Sequence, residues 1–101
     1  MADYSKLYAE TKSRLEHVLT ALSRILTEAE REEVLDFLKS REYGLALGTL
    51  SHILVEENKA IDGNVLHQID DIASAMHLRD EPFMYDLHTS YDRQGQPQGA
   101  R

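Results

Sequence analysis

The sequence predicts an all-α protein, a small bundle of about four helices with short loops and a disordered C-terminal tail. Three observations point there. Apolar residues recur at steps of three and four along most of the chain, the spacing that gives a helix one buried face. Helix-capping residues stand where those periodic stretches begin. No stretch reads convincingly as a strand, and the apolar run Ile53-Leu54-Val55 falls inside a helical pattern. At 101 residues the chain is expected to form one domain, residues 1–91, with residues 92–101 as the tail.

The first helix is expected over Tyr4 to Ile25, with Tyr4, Leu7, Tyr8, Leu15, Val18, Leu19, Leu22 and Ile25 on its apolar side and Asp3 as N-cap. Leu26-Thr27 ends it. Thr27 followed by Glu30 matches a capping box, in which the hydroxyl takes the N–H three residues on and the glutamate reaches back, so a second helix starts at Glu28 and runs to Lys39. It turns Val34, Leu35, Phe37 and Leu38 inward. Its acidic first turn suits the helix dipole.

The central helix begins after Ser40-Arg41 and runs to about Glu57, with Asn58 closing it; the sequence admits either a separate third helix or one rod continued from the second with a bend near Ser40, Arg41 and Gly44. This is the most apolar stretch of the chain. Tyr43, Leu45, Ala46, Leu47, Leu50, Ile53 and Leu54 form its buried stripe, and Gly44 and Gly48 lie one turn apart within it. Each glycine costs a helix about 1 kcal/mol against alanine, which predicts that a neighbour approaches closely there. Asp62 is expected to cap a fourth helix, stapled at its start by Ile61 and Leu66, that buries Val65, Ile69, Ile72, Ala73 and Met76 and stops near His77. Glu81 to Tyr85 is expected to add one further turn opened by Pro82, and the Gln-, Gly- and Pro-rich end from Gln94 to read as tail.

Charge narrows the function. The chain carries 18 acidic and 11 basic residues, a net charge of -7, and the excess is concentrated: residues 1–27 sum to +1, residues 28–91 to -9 and the remainder to +1. Such a field repels nucleic acid and draws basic proteins, so direct nucleic-acid binding is not expected. There is no cysteine, which removes disulfides, thiolate ligands and cysteine nucleophiles together. The first 25 residues are charged throughout, so neither a signal peptide nor a membrane span is expected, and a cytoplasmic location is.

The residues offer little for catalysis. His17, His52, His67, His77 and His88 include no pair four apart and no His-Glu-x-x-His, so no zinc face is expected. Asp62-Gly63-Asn64 begins like a calcium loop, but His67 stands where glycine is required and Ala73 where the closing glutamate is required. Ser51 and His52 are neighbours on one helix and project about 100° apart, which denies them a nucleophile–base hydrogen bond. Neither enzyme activity nor a cofactor or metal is expected.

The segment Arg41-Glu42-Tyr43-Gly44-Leu45-Ala46-Leu47, continued by Leu50, Leu54, Glu56-Glu57 and Ile61, resembles the Glu-Tyr-Gly-Leu-Ala-Leu segment of small bacterial immunity proteins of the MafI type. With Ile69, Ile72 and Met76 on the next helix, the resemblance covers roughly Glu33 to Leu78. It implies an all-α antitoxin that binds and neutralises the C-terminal toxin domain of a polymorphic or contact-dependent toxin system. Many such toxins are nucleases, whose basic surfaces an acidic inhibitor suits. Within the motif, Tyr43, Gly44, Leu45, Leu47, Gly48 and Leu50 are expected to serve the core. Toxin contact is expected from Glu56, Glu57, Asp62, Asp70, Asp71 and Tyr85. The alternative is an acidic helical adaptor or regulator with a different basic protein partner.

Overall fold

The computed structural model describes residues 4–95, and the expected Asp3 cap and residues 96–101 lie outside them. The described chain is all-helical, as its periodicity predicts, but holds five helices: α1 Tyr4–Ala21, α2 Glu28–Lys39, α3 Tyr43–Glu56, α4 Gly63–Ala75 and α5 Pro82–Gly95. The fifth corrects the single turn expected after Glu81. Phe83, Met84, Leu87 and Tyr91 recur at helical spacing, Met84 and Leu87 are buried, and the helix therefore continues through residues 92–95, expected in the tail. At the other end, α1 stops at Ala21 rather than Ile25, and the chain tightens into turns in which Leu26 N–H still reaches the Leu22 carbonyl. Leu22 and Leu26 stay buried through this turn.

Two helix starts form as the sequence dictates. Thr27 accepts from the Glu30 N–H at 3.1 Å while the Glu30 carboxylate accepts from the Thr27 N–H at 2.9 Å, completing the capping box of α2. Asp62 accepts from the Val65 N–H at 2.9 Å and caps α4, and Ile61 and Leu66 both join the core beside it.

The helix ends share one device. After α2, α3 and α4 the chain passes through a left-handed residue, Arg41 (φ 60°), Asn58 (φ 52°) and His77 (φ 61°). In each case the next N–H reaches back to a carbonyl five residues earlier: Glu42 to Phe37, Lys59 to Leu54, Leu78 to Ala73. These are Schellman closures without glycine, which is the usual occupant. The one at Arg41 separates α2 from α3 and makes them an antiparallel hairpin.

Helix α3 is the hub, packed against α1, α2 and α5, while α4 lies against α1 and α5. Ala46, Leu47, Leu50 and Leu54 are almost completely buried in it. Removing a leucine there costs about 2–5 kcal/mol. Helix α5 runs alongside α3 in the same direction, since Phe83 meets Gly48 near one end and Gln94 bonds Asn58 at the other. Leu78 and Phe83 do lie over the two glycines, but the approach is not the close one expected, and a second expectation about α3 also changes. A Cβ built on Gly44 would lie 3.6 Å from Leu78, and one on Gly48 3.6 Å from the Phe83 ring, ordinary contacts that leave room for a methyl group. Leu45, placed in the buried stripe by sequence, is instead 52% exposed.

Candidate functional site: an acidic groove over the central helix

The exposed side of α3 carries Leu45, Thr49, His52 and Glu56, a series at steps of four and three that forms one line along the helix. This line is the floor of a groove of about 610 Å³. Glu30 and Glu33 of α2 wall it on one side, Phe83 of α5 on the other, and Gly44, Gly48, Ile53 and Glu57 complete the lining. Among the described residues, no lysine or arginine lines it.

The groove is polar at one end and apolar at the other. Gly44, Leu45, Gly48 and Phe83 gather where α3 begins. Glu56 and Glu57 stand where it ends, and because α2 runs antiparallel, its first turns bring Glu30 and Glu33 to that same end. The C-terminal dipole of α3 adds to the negative potential there. Glu30 is partly committed: besides capping α2 it pairs with Lys59 at 3.1 Å, both side chains being more than four-fifths shielded. Its carboxyl pKa is lowered, first by the hydrogen bond from the Thr27 backbone and further by Lys59, which favours the ionised form. Glu33, Glu56 and Glu57 are exposed.

The six residues expected to contact a partner do not converge. Glu56 and Glu57 line this groove. Asp62 serves as the α4 cap. Asp70 is engaged within the fold, its Oδ1 lying 2.7 Å from His88 Nε2 and 3.4 Å from Arg79 Nε, a tie between α4 and the segment that follows it. Asp71 is exposed beside His67 at 3.5 Å and borders a different depression, between α4 and the Arg14 and His17 face of α1. Tyr85 is 72% exposed on α5. The acidic stretch Glu28 to Asp36, which holds Glu30 and Glu33, is legible in the sequence as a solvated or recognition face, whereas Leu45 is expected in the core, and Thr49, His52 and Phe83 are not expected at a binding surface. The missed signal was the Leu45, Thr49, His52, Glu56 series, which breaks the apolar stripe of α3 with a line of mostly polar side chains.

For catalysis the arrangement supplies little. Ser51 is fully buried and His52 is exposed, so the two face apart as their helical positions require. His88 and Asp70 form a histidine–carboxylate pair at 2.7 Å, with no hydroxyl nucleophile hydrogen-bonded to that histidine among the described residues. Among the described residues no group of three or more His, Asp or Glu side chains could hold a metal ion, and no helix is long and apolar enough to cross a membrane. Comparison with protein-family models, curated proteins and solved structures gives no significant match to this chain.

Proposed function

We propose that the protein is an immunity-type inhibitor, a cytoplasmic antitoxin that binds the C-terminal toxin domain of a bacterial toxin system and neutralises it by occlusion, with no reaction of its own. The observation that carries the reading is the groove over α3, an open concave surface with an apolar end, three exposed carboxylates beside the Lys59-paired Glu30, and no lysine or arginine among its described lining residues. A basic domain, such as a nuclease that normally grips phosphates, is its electrostatic complement. The Tyr43 to Leu47 motif, through which the chain resembles MafI-type immunity proteins, supports the reading from the other side. It builds the helix on which the groove is laid.

The test is co-expression. A candidate toxin domain, sought in the gene adjacent to this one, is induced in a sensitive host with and without the chain, and survival is counted. Rescue that depends on the chain, together with a stable complex of the two purified proteins, is the expected result. Death at equal expression of both proteins overturns the reading.

A further inference from the structure

We infer that the groove over α3 receives a cationic amphipathic helix of the protein partner, its apolar residues seated against Leu45 and Phe83 and its lysines or arginines against Glu33, Glu56 and Glu57. The inference deepens the inhibitor reading and rests on it for the partner's identity.

The walls decide the form of the occupant. All three contributing elements are helices whose backbone groups are bonded internally, so the groove has no sheet edge to offer an extended peptide. An extended segment laid there would bury unpaired N–H and C=O groups against Leu45 and Phe83. A helix arrives with those bonds already made. From Gly44 to Glu57 the floor is about 20 Å long at 1.5 Å per residue, which matches a helix of about 14 residues.

The charge pattern decides its sequence character. Leu45 is half exposed at the head of an otherwise polar line, and it lines the groove together with Phe83, so the two form a small apolar patch there. The carboxylates stand at the other end. Gly48 and Glu56 are separated by about 12 Å along the helix, so an apolar anchor and its basic residues would sit about two turns apart in the occupant, at i and i+7 or i+8. Leu45 supplies contact area, and the acids supply orientation and a faster encounter.

Two arms test this with the full chain. A synthetic peptide of about 14 residues, with leucines a turn apart in one half and lysines two turns on, is titrated against the protein beside a scramble of the same composition that has no apolar stripe. The patterned peptide is expected to bind at least about tenfold more tightly than the scramble. Leu45→Ser and the double variant Glu33→Lys with Glu57→Lys should each weaken it by about tenfold or more, while Glu10→Lys with Glu16→Lys on α1, an equal change of charge, should alter it less than about twofold. Equal binding of the scramble, or full affinity in Leu45→Ser, overturns the inference in favour of diffuse charge attraction. The second arm places the same variants in the rescue assay. If the parent chain rescues and the groove variants rescue equally well, the groove assignment falls while the inhibitor reading stands; if the parent fails to rescue, that reading falls and the peptide arm still decides whether the groove takes a cationic helix.

Discussion

At the scale of single residues, the described core holds a side chain that works against stability. Ser51 is completely buried in α3, and its hydroxyl has no hydrogen-bond partner. In a helix interior a serine hydroxyl commonly bonds the carbonyl one turn back, which would settle the cost of burying it. Without that bond the group has lost its water and gained nothing, a loss of about 1–3 kcal/mol. Alanine removes the oxygen, keeps the Cβ and has the better helix propensity. Ser51→Ala is therefore expected to raise the free energy of unfolding by about 1 kcal/mol, read from the midpoint of a urea titration at an unchanged slope. A lower midpoint would mean that the hydroxyl is bonded in solution. The left-handed residues at 41, 58 and 77 are a second local strain. Asparagine tolerates that conformation, whereas arginine and histidine hold it because the three closures are each fixed by a pair of backbone hydrogen bonds.

At the scale of elements, α2 shows how a short acidic helix is held. Its first turn depends on the reciprocal Thr27–Glu30 bonds, and the Glu30–Lys59 pair fastens that turn to the chain leaving α3. Thr27→Ala should cost about 1 kcal/mol. The Glu30 carboxyl is held below the ordinary glutamate range, so its folded pKa is lower than its unfolded one, and folding is favoured when it is ionised. That contribution is fully present above the unfolded value of about 4.3 and fades as the pH falls through the lower folded value. Urea midpoints from pH 6 down to pH 3 should accordingly drop more steeply in the parent than in Glu30→Gln; parallel curves would remove the carboxylate from the account. This helix was readable because its signals are local: the capping box sits within four residues, as does the Asp62 cap of α4. The groove was not readable in the same way. Its lining comes from three separate helices, α2, α3 and the more distant α5, and only the hairpin geometry set by Arg41 brings Glu30 and Glu33 beside Glu56 and Glu57. The length of α5 escaped for the opposite reason, because a Thr, Ser, Asp and Gln content that suits a tail coexists with apolar anchors only three or four residues apart. Asp70 and Asp71, adjacent in the chain and expected together, were divided by helical rotation into one residue engaged with His88 and one facing solvent.

At the scale of the whole molecule, the net charge of -7 is an opposing term in folding as well as an attraction for a partner. Between Glu28 and Tyr91 the surface is crowded with like charges that repel one another more strongly in the compact state than in the extended chain. Opposing this among the described residues are close pairs between permanently charged partners, Lys59–Glu30 and Arg79–Asp70, and pairs between histidine and aspartate. Pairs of this kind are worth about 0–1 kcal/mol each when exposed, and salt weakens them. The repulsion sums over 18 acidic groups and acts at long range, so it is the larger quantity and the one most sensitive to screening. Raising sodium chloride from about 0.01 M to about 0.15 M shortens the Debye length from about 30 Å to about 8 Å, which removes the long-range repulsion and leaves the contact pairs only partly weakened. The urea midpoint at pH 7 is therefore expected to rise over that interval, with urea used because guanidinium is itself a salt. The association rate with a basic partner should fall over the same interval, because the field that destabilises the folded chain is the field that steers the encounter. A midpoint that falls with salt would show that specific ion pairs outweigh the general repulsion, and would require the acidic surface to be compensated locally.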